Sequence, residues 1–158
     1  MKISAQEEYG LRCLLQLARA PHNQIVSVKE IASKEGLSSA YVEKLLRLLS
    51  KSGLVHSVRG VKGGYVLNRP GTSIMLGEVV RALGTLQTTE HICHSFTGNQ
   101  TACVHFSNCG IRSVWSGLTT YIQGFLDQTT LATLLDSEYD VAERVAKRLH
   151  QPPIVVKP

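Results

Sequence analysis

No stretch of this 158-residue chain is apolar for long enough to cross a bilayer. Its first residues, MKISAQEEYG, lack the apolar core of a secretory leader and run straight into a helical pattern. A cytoplasmic location and no membrane partner are therefore expected. There is no phosphate-cradling loop and no nucleophile–base constellation, so the chain does not read as an enzyme. Acidic residues are missing where basic ones gather. Lys44, Arg47, Lys51, Arg59, Lys62 and Arg69 fall in one span without a carboxylate, and only Glu43 adjoins it. The excess of 17 Lys+Arg over 12 Asp+Glu, a net charge of +5, is thus local. A local positive field permits a polyanionic partner. Cysteine occurs only four times, and in a reducing compartment that is no disulfide framework.

The cysteines are unevenly placed. Cys13 stands alone inside an apolar helical pattern and reads as a small core residue. Cys93, Cys103 and Cys109 cluster in CHSFTGNQTACVHFSNC, with His91, His94 and His105 beside or among them. This polar stretch has little periodicity. A structureless loop of that length is functional or disordered, and three thiols favour function. The apolar fraction of 43% is ordinary and allows a buried core.

In chain order, Ser4–Glu7 reads as a capping box that opens a helix running to about Ala20, where Pro21 ends it. Ile25 to Val28 is an extended connector. Ser27 caps a second helix near Val28–Glu35, which Gly36 terminates. After a tight turn at Leu37–Ser38, a third helix covers about Ser39 to Ser52. Its Val42, Leu45, Leu46 and Leu49 form a buried stripe at i, i+3, i+4 and i+7. Two β-prone runs, Leu54–Val58 and Tyr65–Leu67, flank RGVKGG. There Gly60, Gly63 and Gly64 are expected to supply the positive φ of a hairpin tip. Met75 to Leu83 reads as a fourth helix with Leu76, Val79, Val80 and Leu83 inward. A fifth runs from about Ile111 to Leu126. Its wide stripe of Ile111, Val114, Trp115, Leu118, Tyr121, Ile122, Phe125 and Leu126 suits packing on a second subunit better than packing on its own domain. Thr130 caps a short helix, LATLLD. Ser137 to His150 forms one more, with Val141, Val145 and Leu149 on one side, and QPPIVVKP is loose.

Helix, helix, turn, helix and hairpin is the order of a winged helix-turn-helix. The expected fold is mostly α with a small β-hairpin wing and a long dimerisation helix. A small α+β domain without nucleic-acid business is the alternative, disfavoured by the basic helix face and tip. Three units are expected: a DNA-binding unit over 1–72, the cysteine loop and dimerisation helix over 73–136, and a C-terminal helix and tail over 137–158.

A helix entering the major groove presents its first turns to base edges. Here that selects Ser39, Ala40, Tyr41, Glu43 and Lys44. Glu43 can accept from a cytosine amino group, and Lys44 can reach guanine or phosphate. Arg47 and Lys51 suit phosphates, which position without carrying sequence information. Arg59 at the hairpin tip suits a narrow minor groove, and Lys62 suits the backbone.

Residues 1–135 resemble the IscR/NsrR-type regulators of the Rrf-two family. The motifs that carry this are MKIS…YGLR, SSAYVEKLLRLLSKSGLV, SVRGVKGGYVL and the three-cysteine loop before a long helix. The resemblance implies a homodimer joined through the fifth helices and bound to a palindromic, double-stranded promoter element. It implies that Glu43 and Arg59 contact bases. It also implies an iron–sulfur cluster on Cys93, Cys103 and Cys109, with 4Fe–4S preferred to 2Fe–2S. Two departures stand out. The gap between Cys93 and Cys103 is wider than in the family, while Cys103 and Cys109 keep its spacing. Arg112 stands where IscR-like members place a ligating histidine. NsrR-like members complete the site with an acid from the partner's first helix, and Glu8 occupies that place here. His91, His94 and His105 are rival fourth ligands. A cysteine-oxidation switch and zinc remain the alternatives to a cluster, as does regulation through a protein partner.

Overall fold

Helix α1 (Ala5–Arg19) starts at the expected capping box. Ser4 Oγ accepts from the Glu7 amide at 3.2 Å, and Glu7 Oε2 accepts from the Ser4 amide at 2.7 Å. The structure, a computed structural model of the single chain, describes residues 3–21, 23–84 and 103–149. Helix α2 (Val28–Glu35) is capped by Ser27 and ends at Gly36, whose φ of +65° is the left-handed value that glycine reaches without strain. Helix α3 (Ser39–Lys51) is capped by Ser38 and buries Val42, Leu45, Leu46 and Leu49, the predicted stripe.

Strands β1 (Val55–Val58) and β2 (Gly64–Leu67) pair antiparallel, from Val55 opposite Leu67 to Val58 opposite Gly64. The connector before α2 joins them. Val26 and Tyr65 exchange backbone hydrogen bonds of 3.0 and 2.9 Å, so the wing is tied back to the start of the helix-turn-helix. The tip differs from expectation. Of its three glycines only Gly60 has a positive φ, at 123°. The other two are required by closeness instead. A Cβ at Gly63 would lie 2.6 Å from the Val58 carbonyl oxygen, and one at Gly64 would lie 2.7 Å from the Val26 carbonyl carbon.

Helix α4 (Leu76–Leu83) packs against α1 and α3 through Leu76, Val79 and Leu83. Val80, expected inward, is only half-buried, and Gly77 is buried instead. The C-terminal end of the long helix α5 (Gly110–Asp127) covers Gly77, bringing Asp127 against it. Arg81 pairs with Asp127 at 2.8 Å, and the Leu76 amide donates to the Thr129 carbonyl at 2.8 Å. A short 3-10 turn, Leu131–Leu135, is capped by Thr130 as predicted and sends Leu131 into the core. Helix α6 (Glu138–Leu149) closes the described chain. Its Val141 and Val145 are half-buried and Leu149 is exposed. The expected loose segment after it lies outside the described residues.

One core unites these elements. Cys13, Leu14, Ile31, Leu45, Leu46, Leu49, Leu54, Ile74, Val79, Leu83 and Leu131 are all buried in it. Each large aliphatic side chain so buried contributes roughly 1.5–3 kcal/mol relative to exposure. The consequence for function is rigidity. Helix α3, the β1–β2 hairpin and the C-terminal end of α5 share the same packed interior. No described helix is long and apolar enough to cross a membrane.

Candidate nucleic-acid interface and metal centre

Because α3 spends one face on the core, its other face is free. Ser39, Ala40, Lys44, Arg47 and Lys51 are exposed, while Tyr41 and Glu43 are half-buried. Tyr41 is partly committed elsewhere: its ring meets Tyr9 edge-on at 6.2 Å between centroids. Glu43 and Arg47 form an i,i+4 ion pair of 2.6 Å. That hydrogen bond, with the carboxylate's charge, raises the Arg47 guanidinium pKa above its ordinary value. In the free chain these two side chains therefore satisfy each other. Exposed pairs of this kind hold weakly and exchange readily for a ligand.

Arg59 and Lys62 stand exposed at the wing tip on either side of Val61, which is wholly exposed. Among the described residues, no carboxylate pairs with Lys44, Lys51, Arg59 or Lys62. Arg69, the last base of the same run, is different. It binds Glu78 of α4 and the Ser73 carbonyl, so it braces the wing against the core. Sequence order alone put it with the polyanion-facing charges. A contact nine residues away took it out.

The four cysteines separate by environment. Cys13 is fully buried, and desolvation pushes its thiol up to about 12. It stays protonated and inert at neutral pH. Cys103 and Cys109 are free thiols and half-buried. They bracket one tight turn, in which the Phe106 amide donates to the Cys103 carbonyl at 2.9 Å and the Asn108 amide to the His105 carbonyl at 3.2 Å. Cys109 is the N-cap residue of α5, and its side chain makes no capping bond. Cys93, His91 and His94 lie outside the described residues. Among the described residues, no three His, Cys, Asp or Glu side chains converge as a metal site.

Glu8 lies exposed on α1 and pairs with Arg12 at 2.8 Å. Arg12 in turn lies 5.7 Å from the Tyr9 ring centroid, and its pKa is raised first by the hydrogen bond to Glu8 and then by that carboxylate's charge. Arg112 cannot take the part of a ligating imidazole, because guanidinium stays protonated. It holds the turn instead: Nη2 donates to the Phe106 carbonyl and Cζ lies 5.3 Å from the Phe106 ring centroid. Its Nε is buried without an acceptor among the described residues. An N–H left in that state costs about 1–3 kcal/mol. The sequence reading treated Arg112 only as a missing ligand. The signal for its clamp was a base in the first turn of α5, where no acid accompanies it.

The N-terminal half of α5 projects beyond the core. Ile111, Val114, Trp115 and Leu118, spaced i, i+3, i+4 and i+7, are 68%, 68%, 46% and 45% exposed, and no residue of the helix is fully buried. These side chains form a continuous exposed apolar stripe along one face of the helix.

Comparison with known proteins agrees with this anatomy. The model of the Rrf2 family, described as an iron-dependent transcriptional regulator, matches residues 3–137. The chain is similar to Protein rrf2 of Nitratidesulfovibrio vulgaris Hildenborough, 34% identical over 135 residues that cover 85% of this chain and 87% of the relative. It is similar to the HTH-type transcriptional regulator IscR of Cereibacter sphaeroides, 33% identical over 144 residues covering 87% of this chain and 89% of the relative. Among solved structures, T. potens IscR is 30% identical with a TM-score of 0.66, covering 96% of this chain and 93% of that one. CymR, the global cysteine regulator of B. subtilis, is 31% identical with a TM-score of 0.66, over 85% of this chain and 95% of that one. The winged helix, the hairpin and the long trailing helix are thus those of a transcription regulator and not of an enzyme, and the chain belongs to the Rrf2 family.

Proposed function

We propose that this regulator is a cytoplasmic homodimer that reads a two-half-site promoter element, its affinity set by an iron–sulfur cluster at the cysteine loop. The observation that carries the reading is the position of Cys103 and Cys109. Two free, half-buried thiols bracket the turn that leads into α5, and the far end of α5 is packed on the same core as the recognition helix. Ser39, Ala40, Tyr41, Glu43 and Lys44 face base edges, Glu43 leaving its pair with Arg47. Arg47, Lys51 and Lys62 hold phosphates, and Arg59 enters the minor groove.

The donor chemistry fits the cofactor. Thiolates are the ordinary ligands of iron–sulfur clusters. Cys93, Cys103 and Cys109 would hold the cluster, 4Fe–4S in preference to 2Fe–2S. The partner subunit's Glu8 is the preferred fourth ligand over His91, His94 and His105. When bound, such a cluster supplies an iron centre responsive to redox state, nitric oxide or iron supply. The α5 stripe joins the two chains. A ligand supplied across that interface couples the loop to the separation of the two recognition helices.

A second reading, a cluster-free switch by cysteine oxidation, is favoured by the same accessible thiols. One solved structure of S. aureus CymR, 31% identical with a TM-score of 0.66, is of an oxidized form.

Arg59→Ala should weaken binding to a selected genomic site about tenfold, and binding to random duplex much less, in a competition assay at fixed salt. Equal losses on both would make Arg59 a phosphate contact only. Glu8→Ala should leave the apo chain folded, since its pair with Arg12 is an exposed one. It should also shorten the lifetime of the cluster chromophore in air several-fold. An unchanged spectrum and lifetime would assign the fourth ligand to a histidine.

A further inference from the structure

The wing is a hairpin of two four-residue strands. A hairpin of that size is marginally stable alone, so its anchors decide where the tip points. Asn68, just past β2, ties the base to the end of α3: its Nδ2 donates to the Gly53 carbonyl at 2.7 Å. Arg69 follows and reaches α4. Its Nη2 donates to Glu78, and its Nη1 donates to the Ser73 carbonyl at 3.1 Å. Glu78 and Arg81 stand at i and i+3 on α4, neighbouring places on its surface. Arg81 pairs with Asp127, the last residue of α5, at 2.8 Å. Two backbone bonds of 2.8 Å reinforce that junction, from the Leu76 amide to the Thr129 carbonyl and from the Leu131 amide to the Ile74 carbonyl. Leu76, Val79 and Leu83 bury α4 in the core. Helix α4 is therefore a packed strut. One of its carboxylates holds the base of the wing, and one of its guanidinium groups holds the end of α5.

We infer that Arg69, Glu78, Arg81 and Asp127 are positioning residues for the wing: through α4 they make the angle of the hairpin, and with it the seat of Arg59 on DNA, depend on the end of α5. The inference rests on the reading above that Arg59 enters the minor groove. It goes beyond that reading by naming what sets the place of Arg59. Four-residue strands extend about 13 Å, so a tilt of about 10° at the base moves the tip by about 2 Å. Groups that read a site have to be held within about 0.5 Å. Part-exposed ion pairs add little to stability, so their loss falls on recognition more than on folding.

The test is a set of double-mutant cycles on the full-length chain purified without oxygen, comparing preparations of equal iron content. Glu78→Gln cuts the wing end of the strut and Asp127→Asn cuts the α5 end. Each is made alone and together with Arg59→Ala, and affinities for a selected genomic site and for random duplex are measured at fixed salt. Either single variant should lose about three- to fivefold on the selected site and much less on random duplex. Neither should cost anything further once Arg59 is alanine, because both act through that contact. Losses that add fully to that of Arg59→Ala, equal losses on both duplexes, or no loss in Asp127→Asn would overturn the inference while leaving the wing reading intact. Circular dichroism checks folding. If Glu78→Gln or Asp127→Asn does not fold, Arg69→Gln or Arg81→Gln breaks the same pair from its other side and decides on the same criteria. An Arg59→Ala variant with an unchanged preference for the selected site would remove the wing reading itself, and the inference with it.

Discussion

Promoter binding by this protein will weaken about a thousand-fold or more as salt rises from about 50 to about 200 mM. Each phosphate neutralised by a cation releases counterions, and the affinity of a protein making about six to ten such contacts falls by roughly 10³–10⁵ over that range. The structure supplies the cations. Lys44, Arg47 and Lys51 lie on the exposed face of α3, and Arg59 and Lys62 at the wing tip. Four of these five have no carboxylate partner among the described residues, and the fifth, Arg47, is tied only to its neighbour Glu43. The two protomers of the proposed dimer would present twice that set. Equilibrium titrations of one duplex at several salt concentrations measure the slope, and a flat response would contradict binding through this face. Lys51→Gln should reduce the slope by about one unit per protomer without changing sequence preference, as expected of a phosphate contact.

The second large effect concerns α5. The double substitution Trp115→Asp, Leu118→Asp should convert the protein to a monomer that keeps its winged helix folded. Both side chains are about half exposed in the single chain, so the fold does not depend on them. In a two-fold assembly each substitution acts twice, because the same patch serves both partners. Burying a large apolar side chain contributes roughly 1.5–3 kcal/mol, so the loss should raise the dimer dissociation constant at least about a thousand-fold. Sedimentation shows it directly. Affinity for a palindromic site should fall by about a hundred-fold or more, since half-sites about 34–36 Å apart can no longer be held together. A variant that remains dimeric would place the interface elsewhere.

Local signals in the sequence were reliable where a single element decides its own form. The capping box at Ser4–Glu7, the caps Ser27 and Thr130, the stop at Gly36 and the stripe Val42–Leu45–Leu46–Leu49 all occur as read. Each rests on contacts within a few residues. The differences arise where distant segments meet. Gly77 is buried because the end of α5 brings Asp127 against it. Gly63 and Gly64 are needed for backbone closeness to Val58, Gly60 and Val26, which periodicity does not express. Arg69 looks like its basic neighbours in sequence and is spent on Glu78. The lone base in the first turn of α5 points to a clamp by Arg112, but its partner, the Phe106 carbonyl, is set by the turn before the helix.

The most direct test of the central proposal divides one oxygen-free preparation in two and strips the cluster from one half with a chelator. Iron, sulfide and equilibrium affinity for the same selected duplex are then measured on both. The account predicts iron and labile sulfide in the untreated half and a difference in affinity of about tenfold or more between the halves, a coupling of about 1.4 kcal/mol. An iron-free untreated half, or equal affinities, would contradict it.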